Sequence, residues 1–100
     1  MNESMSKPEA AALTRELKIV NQRGLHARAS AKFVQVAGSF DAEVEVEKDG
    51  VSVGGTSIMG LMMLAASPGC AIRVTAKGRE AAALLDALEE LVADRFGEEC

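Results

Sequence analysis

His26 is the only histidine in the 100-residue chain, and it lies in the run Gly24-Leu25-His26-Ala27-Arg28-Ala29-Ser30. Upstream of this run the apolar residues alternate; downstream they recur with a helical period, so His26 is expected at the start of a helix. A helix N-terminus presents N–H groups without intrahelical partners and a partial positive charge, which together suit an anion. A histidine placed there can accept a phosphoryl group. The N–H groups of Ala27, Arg28 and Ala29, with the Arg28 guanidinium, would then hold the dianionic oxygens. The partial charge of the helix also favours the neutral, nucleophilic ring. Phosphoryl transfer rests mainly on positioning and charge stabilisation, so a small chain can take part without a deep pocket if a partner brings the donor and excludes water. A lone histidine is more often structural, but Arg23, Arg28 and Lys32 are expected to form a basic spot around this one.

The elements that position the run follow from hydrophobic period. Residues 14–20 alternate, with Leu17 and Ile19 on one side and Glu16 and Lys18 on the other, which predicts a half-buried strand. From Ala27 to Ala37 the apolar positions Ala29, Phe33, Val36 and Ala37 share a helical face, and Gly38 ends the element. Phe40, Ala42, Val44 and Val46 alternate with Asp41, Glu43, Glu45 and Glu47, a strand with one buried face and one acidic, solvated face. Lys48-Asp49-Gly50 signals a hairpin, with Val51 and Val53 starting the returning strand. Ser57 is an N-cap for a short helix through Leu64, whose inward stripe is expected to be Ile58, Leu61 and Ala65. Met59, Met62 and Met63 supply more apolar surface than so short a helix can bury. Cys70, Ile72, Val74 and Ala76 alternate with Ala71, Arg73, Thr75 and Lys77, which makes Cys70 an inward-pointing small hydrophobe. Residues 79–95 carry a helical stripe at 81, 84, 85, 88, 91 and 92, closed by Gly97. The polar residues 1–12 are expected to be a disordered extension and residues 13–97 the folded domain. Short connections between strands of alternating polarity favour an antiparallel sheet with helices on one face, an α+β sandwich of two layers.

Bulk properties exclude several classes. The chain is one domain's length, and its 48% hydrophobic content includes only three aromatic residues, all Phe, so the core must be aliphatic. A net charge of −4 argues against a nucleic-acid partner. Cys70 and Cys100 make no disulfide framework, and two thiols with one histidine fall short of a metal site, so neither metal nor cofactor is expected. No apolar run approaches membrane-spanning length, and residues 1–12 lack the pattern of a signal peptide, which fits a cytoplasmic protein away from membranes.

Two blocks carry a family resemblance. Gly24-Leu25-His26-Ala27-Arg28 resembles the signature of HPr, the histidine-containing phosphocarrier family of the bacterial phosphoenolpyruvate-dependent phosphotransferase system. Ser57-Ile58-Met59-Gly60-Leu61-Met62 is similar to the regulatory-serine segment of the same family. The spacing of the blocks and the element order agree over residues 15 to 95. The resemblance implies a four-stranded antiparallel sheet covered on one face by three helices. It implies that His26 is phosphorylated by enzyme I and donates to IIA-type proteins, usually through Nδ1, with Arg28 as the accompanying arginine. Such a protein is a phosphoryl carrier with a covalent phosphohistidine state rather than an enzyme in its own right. The resemblance further implies that Ser57 is the position modified by an HPr kinase/phosphorylase where one is present, and that Met59 and Met62 belong to an apolar docking patch. A soft, re-packable methionine surface suits one face that meets several partners. Two residues depart from the family pattern: Ala29 stands where proline is usual after the arginine, and Thr56 where lysine is common. Proline would pre-set φ in the first helical turn, so alanine predicts a looser phosphate cradle.

Other classes compete with the carrier. A regulatory binding module would keep the serine switch and dispense with the histidine, and the presence of both His26 and Arg28 argues against it. A small enzyme using His26 as general base lacks a second titratable partner in any motif. Within the carrier reading, these residues do not separate a sugar-uptake branch from a nitrogen-type regulatory branch, although the Ser57 block leans toward a system with an HPr kinase. A single small domain with a transient docking face is expected to be a monomer.

Overall fold

Alternation of apolar and polar residues builds four strands into one sheet in the computed structural model, which describes residues 12–99. The strands are β1 (Ala12–Lys18), β2 (Glu43–Lys48), β3 (Val51–Gly54) and β4 (Ala71–Lys77). Their order in the sheet is β1-β4-β2-β3, and every neighbouring pair is antiparallel. The helices are α1 (Ala27–Ala37), α2 (Ile58–Met63) and α3 (Ala81–Ala93). They cover one face of the sheet, so the architecture is the expected open-faced α+β sandwich.

One core lies between the layers. Leu17, Val46, Ile72, Val74 and Ala76 enter it from the sheet. Ala29, Phe33 and Ala37 enter from α1, Leu61 from α2, and Leu84, Leu85, Leu88 and Val92 from α3. The opposite face carries Glu43, Glu45, Arg73 and Lys77 in solvent. The β2–β3 hairpin turns through Asp49 and Gly50, both at positive φ (52° and 84°), the conformation that a two-residue hairpin of type I′ requires.

Several boundaries and faces differ from the sequence reading. β1 begins at Ala12, paired with Lys77, and ends at Lys18 rather than spanning 14–20. Of the extension expected over 1–12, residues 1–11 lie outside the described residues and Ala12 opens a strand. β2 starts at Glu43, because the chain bends through residues 39–42 before pairing. β4 starts at Ala71, so Cys70 precedes the ladder and is half-buried, with Ser67 Oγ 3.5 Å from its Sγ, rather than an inward core residue. In α2 the buried residues are Leu61 and then Leu64, while Ile58 and Ala65 are exposed. For Ala65 the cause is that the helix ends before it, and the residue takes a left-handed conformation (φ 54°) that swings it away from the core. Met63, which ordinary core packing would have buried, is 76% exposed, because it lies about 200° around this short helix from the buried Leu61.

After α3 the chain reverses through Arg95, Phe96 and Gly97, three consecutive residues at positive φ (57°, 55° and 79°). For residues with a side chain this conformation costs roughly 1–2 kcal/mol each. Burial of Phe96, 1% exposed, offsets a comparable amount, about 1.5–3 kcal/mol. The reversal carries Glu98 back toward α1. The helix expected to run to residue 95 and close at Gly97 ends instead at Ala93, before this turn, and Cys100 lies outside the described residues.

Candidate functional site

The loop between β1 and α1 is held from below by the backbone. Leu25 N–H donates to the Ala66 carbonyl (2.9 Å) and His26 N–H to the Gly24 carbonyl (2.9 Å). Gly24 has φ +67°, and a Cβ there would lie closer to Ala66 O than the 3.0 Å that real Cβ atoms keep. Only glycine allows the loop to close onto the segment that follows α2.

His26 is the N-cap of α1, with extended backbone (φ −75°, ψ −178°). Its Nδ1 accepts from Arg28 N–H at 3.2 Å, so the ring itself caps the helix. The first intrahelical bond runs from Ser30 N–H to the His26 carbonyl (2.8 Å), which places the N–H groups of Ala27, Arg28 and Ala29 ahead of the ladder. Because Nδ1 is an acceptor here, the neutral ring carries its proton on Nε2. Nε2 in turn faces the Glu98 carboxylate Oε2 in a short contact, with both side chains largely buried (17% and 18% exposed).

Glu98 is the residue that sequence reasoning missed. Its other oxygen accepts from Asn21 Nδ2 (3.1 Å), and the same Nδ2 donates to the Gly24 carbonyl (2.9 Å). Asn21 is fully buried, and its Oδ1 has no hydrogen-bond partner among the described residues. Partial burial works to raise the Glu98 carboxyl, but hydrogen bonds from Asn21 and His26 and the nearby charge of Arg23 outweigh it. The carboxyl is held below the usual carboxylate range. The only signal in the sequence was an acid some 70 positions downstream, and nothing in its spacing pairs it with His26.

The basic spot is assembled differently from expectation. Arg23 and Arg28 are exposed and, with Gln22, Glu98 and Glu99, line a shallow cavity of about 240 Å³ beside His26. Lys32 does not join them, because its Nζ donates to the Phe96 carbonyl at 2.6 Å and anchors the C-terminal reversal. Ala29 is fully buried under the first turn of α1 and faces the core.

A second helix N-terminus lies on α2, which packs beside α1. Ser57 caps it: its Oγ accepts from Gly60 N–H at 3.0 Å, and the residue is exposed. Beyond the cap, Met59 (73% exposed) and Met62 (40%) form an apolar surface that Ile58 (40%) and Met63 (76%) enlarge. Among the described residues no helix is long and apolar enough to cross a membrane.

Comparison with known proteins places this arrangement in context. Residues 13–94 match the family model described as the PTS HPr component phosphorylation site. The phosphocarrier protein HPr of Cupriavidus necator is 46% identical over 86 residues, which cover 86% of this chain and 97% of that protein. The crystal structure of HPr from Thermoanaerobacter tengcongensis superposes with a TM-score of 0.84 at 40% identity, covering 88% of this chain and 99% of that one. An HPr dimer from the same organism matches with a TM-score of 0.69 at 37% identity, over 98% of this chain and all of that one.

Proposed function

This chain belongs to the HPr family of phosphocarriers, and we propose that it accepts a phosphoryl group on His26 from phospho-enzyme I and passes it to IIA-type acceptors. The observation that carries this reading is the capping geometry of His26: Nδ1 bears the lone pair at the start of α1, within reach of backbone N–H donors. In the transfer Nδ1 attacks phosphorus and the donor's N–P bond breaks, its electron pair returning to the donor nitrogen. Arg28 N–H is released from Nδ1 as the new bond forms and can turn to a phosphoryl oxygen. The N–H groups of Ala27 and Ala29 and the Arg28 guanidinium add to the same charge stabilisation. The chain brings no cofactor to this step and works as a carrier between partners.

Partners dock on the apolar surface of α2, with Met59 and Met62 at its centre and Ile58 and Met63 extending it. Ser57 is the regulatory site, its exposed hydroxyl the acceptor for an HPr kinase/phosphorylase. A phosphate at Ser57 is favourable for the helix N-terminus yet adds nearly two negative charges to the docking face, which opposes transfer at His26. The carrier works in the cytoplasm as a monomer, since the docking face must stay open.

Incubation with phosphoenolpyruvate and enzyme I, followed by intact mass measurement, tests the reading. The expected result is an acid-labile gain of one phosphate that His26→Ala abolishes. No gain, with Ser57 still modified by a kinase and ATP, overturns it in favour of a regulatory binding module.

A further inference from the structure

We propose that Asn21 and Glu98 act as a pair of positioning residues that keep the proton of His26 on Nε2 and so leave Nδ1 as the nitrogen that takes the phosphoryl group. The proposal rests on the carrier reading of His26 and adds the groups that prepare the ring. Glu98 Oε2 can only accept, so it fixes the proton on Nε2 from one side, while Arg28 N–H donates to Nδ1 from the other. Asn21 sets the carboxylate in place. One amide nitrogen bonds both Glu98 Oε1 and the carbonyl of Gly24, two residues before His26, and thereby ties the carboxylate to the loop that carries the ring.

The amide orientation follows from its partners, because a flipped Asn21 would set its oxygen against two acceptors. That orientation leaves Asn21 Oδ1 buried and without a partner among the described residues, a cost that core packing gives no reason to bear. The C-terminal reversal points the same way. Two residues with side chains, Arg95 and Phe96, are held in left-handed conformations, and the turn is pinned by burial of Phe96 and by Lys32 on the Phe96 carbonyl. Backbone strain of this kind persists where the surroundings over-determine it, and here its outcome is the delivery of Glu98 to the ring.

The pair also matters during transfer. As the Nδ1–P bond forms and the donor's N–P bond breaks, the proton stays on Nε2 and the ring becomes cationic. The Glu98 carboxylate, one hydrogen bond away, offsets that charge. In donation to the next acceptor the N–P bond breaks, the electron pair returns to Nδ1, and the same tautomer is restored.

The test uses the full chain as Asn21→Ala, Glu98→Ala and the double variant, with enzyme I and phosphoenolpyruvate, and records ¹⁵N spectra of the imidazole without any partner. Each single variant should lower the turnover of phosphoryl acceptance roughly 10-fold, comparable to removal of the hydrogen-bond partner that orients a metal-bound histidine, with little change in KM. The double variant should be no slower than Glu98→Ala alone, because Asn21 acts through Glu98. In the spectra Nε2 should be protonated and Nδ1 unprotonated in the unmodified chain, with mixed tautomers appearing in the variants. If alanine at 98 unfolds the turn, Glu98→Met, which keeps the length of the side chain and has no oxygen to accept from Nε2, is the variant to read. Folded variants with unchanged turnover and an unchanged tautomer overturn the proposal, as do losses that multiply in the double variant. Failure of the unmodified chain to accept any phosphoryl group would instead sink the carrier reading, and the tautomer spectra would still decide the role of the pair.

Discussion

Gly24→Ala is the sharpest perturbation of the scaffold beneath the site. Gly24 has φ +67°, and its missing Cβ would fall inside contact distance of Ala66 O, with Ser67 Cα only 3.1 Å away. The left-handed conformation costs an alanine about 1–2 kcal/mol. Relief of the clash must move the Ala66 carbonyl, which accepts the Leu25 N–H, and loss of that bond between buried groups costs roughly 1–3 kcal/mol more. The sum is about 3 kcal/mol, or a fall in Tm of roughly 12–24 °C for a domain of this size. Gly50→Ala isolates the conformational part, because Gly50 has φ +84° with nothing within 4 Å of the added Cβ. It should lower Tm by about 4–16 °C, the conformational cost alone. Thermal and urea unfolding of both variants gives the comparison, and phosphoryl acceptance shows whether His26 has moved with its loop. Equal destabilisation of the two variants, or a Gly24→Ala chain that melts and transfers like the parent, would refute the claim that close approach to Ala66 holds the loop.

Ser57→Ala removes the bond to Gly60 N–H and should cost about 1 kcal/mol, a fall in Tm of roughly 4–8 °C, with phosphoryl acceptance at His26 retained. Met59→Glu should leave stability within about 0.5 kcal/mol, since the side chain is 73% exposed, while raising KM toward enzyme I and IIA-type acceptors roughly 10-fold or more; kinetics and a melt on the same sample separate the two effects. The Glu98 carboxyl is depressed in the folded chain below its ordinary 4.5, so its contribution to stability is complete above that pH and is lost as pH falls through the lower folded value. Denaturant unfolding from pH 6 to pH 3 should therefore show a loss below about pH 4.5 that is smaller in Glu98→Gln, and identical pH profiles for the two chains would contradict the depression.

Local pattern carried most of the fold. Alternation placed Leu17, Ile72, Val74 and Ala76 inward, the stripe at 84, 85, 88 and 92 lined the buried side of α3, and all are buried as read. Capping was legible too, since Ser57 accepts from Gly60 N–H where its position before the short helix required. Pattern failed where an element ends. Ala65 left the core because α2 stops one residue earlier, Met63 stayed in solvent on a helix too short to bury two faces, and Cys70 fell just outside its strand. Endings depend on which neighbours take up the last backbone groups, and those neighbours are distant in sequence.

The site divides along the same line. The residues from Gly24 to Ser30 determined by themselves a histidine at a helix start, with N–H groups and a guanidinium beside it, because period, glycine and cap are local quantities. That the ring caps the helix through Nδ1 and meets a carboxylate through Nε2 was decided only by tertiary structure. Glu98 reaches His26 across 72 positions by way of a left-handed reversal that no helix or strand propensity favours. The burial of Phe96, the Lys32 anchor and the Asn21 amide hold that reversal, and none of the three acts until the whole sandwich has closed.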